Sequence, residues 1–227
     1  MLLYSKFKIL IRLQSDGLKT DGSNGFKMDY KLKDNKLEFH RELSELDELV
    51  LNFVSILDKT GIKYVIISGY VAILFGRSRT TEDVDIFIEK INSESFGRFF
   101  DEAQRSGYWL INGNGKEDAF DTLNEPLSIR MAKKNDAIPN FEIKFPKKDI
   151  DLVSLNHSLE VVINGKSIMI SPFEVQIPFK IWLGSDKDIE DATHIYELFK
   201  EELNKDLMYN ISKGLGVDKK MIEYGFE

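Results

Sequence analysis

Hydrophobic and polar positions along this chain switch between two periods, and the switches mark its elements. Residues 41–61, RELSELDELVLNFVSILDKTG, carry Leu43, Leu46, Leu49, Val50, Phe53, Val54 and Leu57 at three-to-four-residue spacing. That spacing predicts an amphipathic helix stopped at Gly61. KYVIIS is a short β-branched run and predicts a buried strand, and GYVAILFG predicts a helix of about two turns closed by Gly76. EDVDIFIEK predicts a second strand, and SESFGRFFDEAQRSG a helix capped by Ser93 and stopped at Gly107. NGNGKEDAFDTLNEP predicts a loop with room for a short helix. LSIRMAKK, FEIKF and DIDLVSL predict three strands. LEVVINGKSIMI predicts a hairpin, because Asn164-Gly165 joins two alternating runs. From Pro172 to the end the pattern is helical and predicts three or four helices.

A sheet-building portion followed by a helical one predicts an α+β fold. The boundaries expected are an extension over 1–40, a core over 41–170 and a helical region over 171–227. Two readings stand for residues 1–27. They are a translated leader with Met28 as the true start, or they supply KFKILIRL as an added edge strand.

Composition narrows the function classes. The 227 residues carry 42% hydrophobic and 30% charged side chains, as expected of a chain that builds a core. There is no cysteine, so thiolate metal sites and cysteine nucleophiles are excluded, and a reducing cytoplasm fits. No apolar run reaches about 18 residues, so no membrane-spanning helix is expected. The net charge of -7 argues against coating nucleic acid through bulk charge. Within it, Arg130, Lys133, Lys134, Lys144, Lys147 and Lys148 face only Asp136 and Glu142 over 130–148. That local excess reads as a basic groove or as a solvated strand edge guarded by lysines. His40, His157 and His194 lack metal-ligand spacing. NGKS lacks the glycine a phosphate-binding loop requires five residues before Gly165, where Glu160 stands.

The chemistry concentrates in residues 64–88, YVIISGYVAILFGRSRTTEDVDIFI. Residues two apart on a strand share a face, so Asp83 and Asp85 project together while Val84, Ile86 and Ile88 point to the core. Two neighbouring carboxylates repel, and a divalent cation between them removes that cost. Mg²⁺ takes one or two carboxylates plus phosphate oxygens and water. Two such ions roughly 4 Å apart clamp an in-line displacement at phosphorus. Upstream, Ser68-Gly69 lies where a strand becomes a helix, a place where backbone N–H groups receive phosphate. Arg79 adds a forked cation four residues before Asp83.

In that order, Ser68, Gly69, Gly76, Arg79, Thr81, Asp83 and Asp85 resemble the active-site segment of polymerase-β-type nucleotidyltransferases. The match is to the AbiEii/AbiGii toxin-like branch of small prokaryotic members. Ser68 departs from that branch, which has a glycine there. The resemblance implies a mixed sheet with flanking helices followed by a helical region. It implies Ser68, Gly69, Arg79, Thr81 and Lys180 at a nucleoside triphosphate, with Lys187, Asp188 and Asp191 alongside Lys180. It also implies a third carboxylate on a later strand. Asp151 in KKDIDLVSL is taken for it, with Asp149 as the fallback. Asp83, Asp85 and Asp151 would then hold two Mg²⁺ ions, or Mn²⁺, with Asp151 at the ion that activates the acceptor. The acceptor implied is a tRNA end, a protein hydroxyl or a small molecule, and the setting implied is one half of a toxin–antitoxin pair. A second class of function keeps the fold without the reaction, as a nucleotide-sensing or protein-binding module.

Overall fold

The computed structural model describes residues 29–125 and 127–226. They fold around one mixed nine-stranded sheet in the order β1-β2-β8-β9-β3-β4-β7-β6-β5. The strands are β1 Tyr30–Lys33, β2 Lys36–Phe39, β3 Tyr64–Ile67, β4 Asp83–Ile88, β5 Tyr108–Leu110, β6 Ile129–Lys133, β7 Asn140–Lys144, β8 Leu159–Ile163 and β9 Lys166–Ile170. The helices are α1 Glu45–Thr60, α2 Gly69–Leu74, α3 Ser93–Arg105, α4 Lys116–Asn124, α5 Asp149–Asn156, α6 Phe173–Leu183, α7 Asp186–Phe199, α8 Lys205–Leu215 and α9 Asp218–Glu223. The α+β architecture expected from the sequence is present, with a mixed sheet and a helical C-terminal part.

Local chemistry sets the boundaries. Ser44 caps α1 in a capping box with Asp47, and Gly61 ends it in the left-handed conformation (φ 70°). Asn92, one residue before the expected Ser93, caps α3 through its side chain. The Asn164-Gly165 hairpin joins β8 to β9 as expected. A second hairpin joins β1 to β2, inside the stretch read as an extension. Asp34 and Asn35 take positive φ (50° and 62°), as a primed two-residue turn requires. The proposed strand KFKILIRL and the Met28 start lie outside the described residues.

One expected strand is a helix. DIDLVSL forms α5, and the cause is at its start: Asp151 Oδ2 accepts from the backbone N–H groups of Lys147 (3.0 Å) and Lys148 (2.9 Å). A carboxylate in the first turn that collects free N–H donors stabilises a helix start, and a β-strand offers no such donors. The short apolar pattern of the sequence had masked this.

The core lies between the sheet and α1, α3, α6 and α7. Phe53 of α1 stacks on Phe141 of β7 (centroids 3.8 Å apart) and meets Tyr108 edge-on. Phe75, after α2, contacts Phe173 and Phe199, which stack at 4.2 Å and bring α6 and α7 onto the sheet. α6 is further tied to α8 by Glu174, whose Oε1 accepts from Asn204 N at 2.9 Å.

Glu174 is 2% exposed, and burial raises its pKa against the opposing backbone hydrogen bonds. For a carboxyl whose folded pKa lies above its unfolded value, ionisation costs stability as pH rises through that interval. Glu174→Gln keeps an acceptor oxygen without the charge. At pH 8 the variant should therefore melt at the same temperature as the parent or higher. The difference should close by pH 4, where the parent is protonated as well. Thermal melts at the two pH values check this; a variant clearly less stable at pH 8 would refute it.

Candidate active site

β4 carries the two aspartates on one face. Asp83 and Asp85 are half-buried, while Val84, Ile86 and Ile88 are fully buried on the other face. That arrangement follows from strand alternation, as the sequence predicted. β3 and β7 flank β4. The register pairs Asp85 with Ile67 on one side and with Glu142 on the other. Glu142 is in turn paired with Arg130 of β6. Register partners share a face, so a polar row of Arg130, Glu142 and Asp85 crosses three strands beside Asp83.

The row is tightly bonded. Lys144, two residues beyond Glu142 on the same face, donates to Asp85 Oδ1 (2.9 Å) and to Glu142 Oε1 (3.3 Å). Arg130 donates to Glu142 Oε2 through Nη2 (2.8 Å) and Nε (3.2 Å). Burial alone would raise the pKa of Glu142, but the Arg130 and Lys144 cations hold it below the usual value. Burial alone would lower the pKa of Lys144, and Asp85 and Glu142 hold it above the usual lysine value. The basic stretch read over 130–148 is therefore no open groove at Arg130 and Lys144. Lys133 is also engaged, donating to Ser106 O and lying over the Tyr108 ring.

Beside this row, β3 turns into α2 at Ser68. Ser68 adopts φ 65°, ψ -135°, a conformation that L-residues avoid, and its side chain makes no capping bond. Gly69 follows, and a Cβ there would collide with the Arg79 guanidinium, so a side chain would fit only if Arg79 moved. Arg79 reaches over the glycine and donates to Asp191 Oδ2 at 3.0 Å. Lys180 donates to the same oxygen at 2.8 Å and lies 3.4 Å from Asp188 Oδ1. Arg77 bonds Glu190 and approaches Asp191 Oδ1 at 3.5 Å. Asp191 thus fastens the region of the Ser68-Gly69 turn, through Arg79, to α6 and α7. Thr81 donates to Asp83 O at 2.9 Å and fixes the entry into β4.

The strain at Ser68 gives a direct test. A residue in a sparsely populated region of this kind costs about 1–3 kcal/mol, and glycine adopts it without that cost. After the extra chain entropy glycine carries when unfolded, Ser68→Gly should gain about 1 kcal/mol in urea unfolding. A loss of stability would show that the serine hydroxyl makes up for the strain.

A family model described as a nucleotidyl transferase of unknown function (DUF2204) matches residues 47–224. The chain belongs to that family. Its members are nucleotidyltransferases by description, and the match runs from α1 to the end of α9, so it takes in both the aspartate strand and the helices behind it. Among solved structures, the fold is similar to the antibiotic-resistance factor ANT(2'')-Ia in solution. The TM-score is 0.51 at 11% identity, over 80% of this chain and 97% of that one. A crystal structure of ANT(2")-Ia in complex with adenylyl-2"-tobramycin gives a TM-score of 0.51 at 13% identity, over 75% and 99% of the two chains. An antigenic nucleotidyltransferase-like protein from Paracoccidioides brasiliensis aligns at 16% identity with a TM-score of 0.46, over 80% and 93% of the two chains. No curated protein matches the sequence.

Set against the sequence expectations, the fold gathers Ser68, Gly69, Arg79, Thr81, Asp83 and Asp85 at one end of β3 and β4. Asp151 comes from a helix and not from a strand beside the pair: it is in the first turn of α5, with one carboxylate oxygen taken by backbone N–H groups. It lines a narrow slot together with Ser68, Ser154, Gln176 and Phe179. Asp149, the fallback, shares that first turn. Lys180 is 1% exposed, held inside by Asp191, so it braces the helices. Glu142, in register with Asp85, was not among the site residues expected from the sequence. Its signal was present: FEIKF alternates, which puts Glu142 and Lys144 opposite Phe141, Ile143 and Phe145. The pairing of β7 with β4 was not visible in the sequence.

Hard oxygen donors at Asp83, Asp85 and Glu142 are the set that suits Mg²⁺. As they stand, no three acidic, histidine or cysteine side chains among the described residues converge closely enough to hold a metal ion. Lys144 is inserted between Asp85 and Glu142. No helix among the described residues is long and apolar enough to cross a membrane.

Proposed function

We propose that this nucleotidyltransferase moves a nucleoside monophosphate from a nucleoside triphosphate to an acceptor hydroxyl with the help of Mg²⁺, releasing pyrophosphate. The observation that carries this reading is the pairing of Asp83 and Asp85 on one strand face with the Ser68-Gly69 turn at the end of the adjacent strand. Asp83 and Asp85 would hold the metal, and Glu142, in register with Asp85, takes the place of the third carboxylate in preference to Asp151. The metal, when bound, neutralises charge on the phosphates and activates the acceptor oxygen. The chain's own part is to fix the donors. Ser68 and the first-turn N–H groups of α2 face the phosphates. Arg79, anchored on Asp191, holds Gly69 close beneath it and so shapes that turn. Lys180 keeps Asp191 in place. Glu142, held ionised by its cations, is available to accept a proton from the hydroxyl once Lys144 has moved.

The same motifs, with Lys180 and Asp191 behind them, favour the AbiEii/AbiGii-like branch, in which a toxin acting on a tRNA end or a protein is the expected setting. The ANT(2")-Ia complex carries an adenylylated small molecule, so a hydroxylated small molecule is the other acceptor class to test. The experiment is incubation with each α-³²P-labelled nucleoside triphosphate and Mg²⁺, with tRNA, protein or an aminoglycoside offered as acceptor. Label transferred to one of them supports the reading and names the acceptor. Failure of any triphosphate to bind by calorimetry, with or without Mg²⁺, would overturn it and leave the partner-binding module.

A further inference from the structure

Lys144 does not belong to the set that the resemblance supplied, and its position raises a question of charge. Three carboxylates, Asp83, Asp85 and Glu142, share one sheet face with two cations, Lys144 and Arg130. Each oxygen of Glu142 is already bonded, Oε1 to Lys144 and Oε2 to Arg130, and Asp85 Oδ1 is bonded to Lys144. Lys144 is held in place, with its side chain 22% exposed and its ammonium 5.7 Å from the centre of the Phe87 ring. A divalent ion approaching Asp85 therefore meets an ammonium on the same carboxylate. That ammonium is tethered to the adjacent strand at an effective concentration on the order of millimolar or above.

We propose that Lys144 is a built-in counter-ion that makes metal binding conditional on the triphosphate. This rests on the nucleotidyl-transfer reading above. In the free protein Lys144 neutralises Asp85 and Glu142 and competes with a metal for them. An arriving metal–triphosphate offers Lys144 phosphate oxygens in exchange, so the ammonium swings from the carboxylates to the phosphates as the metal takes its place. No bond is made or broken in this step; one set of ion pairs replaces another. Metal and triphosphate then strengthen each other's binding by the same factor, as linkage requires.

The test is Mn²⁺ binding to the full chain, read without turnover by electron paramagnetic resonance of the free ion, with the Mn²⁺ taken up by the analogue alone measured and subtracted. The parent should bind Mn²⁺ at least tenfold more tightly with a non-hydrolysable triphosphate analogue than without it. Lys144→Met should bind Mn²⁺ alone at least tenfold more tightly than the parent and lose most of the enhancement by the analogue. Lys144→Arg, which keeps the cation, should behave like the parent. A thermal melt of each variant confirms folding, and Lys144→Gln substitutes for Lys144→Met if the latter fails to fold. Equal Mn²⁺ affinities for the parent and Lys144→Met without nucleotide would overturn the proposal while leaving the transfer reading intact. Absence of Mn²⁺ binding to either protein, even with the analogue, would overturn both.

Discussion

Asp83→Asn/Asp85→Asn should abolish nucleotide transfer while leaving the fold in place. The loss expected is several kcal/mol of transition-state stabilisation, on the order of a thousandfold or more in kcat/KM. Stability should change little, because the buried residues of β4, Val84, Ile86 and Ile88, are untouched. Removing two adjacent like charges also offsets the loss of the Lys144 ion pair at Asp85. Two measurements check it: transfer assayed with radiolabelled triphosphate, and thermal melting. Retention of more than a tenth of the activity would remove Asp83 and Asp85 from the chemistry.

The second large effect is on stability. Asp191 is fully buried and carries Lys180 (side chain 1% exposed) and Arg79 (10% exposed) on one carboxylate oxygen. Asp191→Ala leaves the Lys180 ammonium without that partner in the interior. Breaking a buried pair by removing one member costs roughly 3–5 kcal/mol, because the remaining charge is uncompensated. For a chain of this size that lowers Tm by roughly 6–20 °C. Asp188→Ala should cost much less, since Asp188 lies 3.4 Å from Lys180 and is 16% exposed. Asp191→Ala/Lys180→Met, which removes both charges, should recover much of the loss. If the double variant is as unstable as Asp191→Ala alone, the burden falls on Arg79.

These two regions also show what the sequence made legible. The strand–turn–helix–strand around Ser68 could be read because its signals are local: a β-branched run, a glycine where the backbone turns, and strict alternation around Asp83 and Asp85. The same holds for α1, whose cap and stop residues bound an amphipathic repeat. DIDLVSL misled because a run of seven residues with few apolar positions fits either period, and the deciding fact was Asp151 folding back on Lys147 and Lys148. β5 escaped notice at three residues, too short to show alternation. Glu142 was hidden for another reason. Its meaning depends on β7 pairing with β4 in one register, and that pairing joins segments more than fifty positions apart. For Lys180, only packing reveals that its partner is Asp191 and that both are buried.

The bond from Arg79 to Asp191 spans 112 positions. At a synthesis rate of about 5–20 residues per second, the ribosome needs roughly 6–22 s after making Arg79 before Asp191 is added. Through that interval the nascent chain already holds the glycine turn and both aspartates, but not the carboxylate that anchors Arg79 over them. A growing chain of this protein therefore holds Arg79 without its Asp191 anchor until α7 has been made.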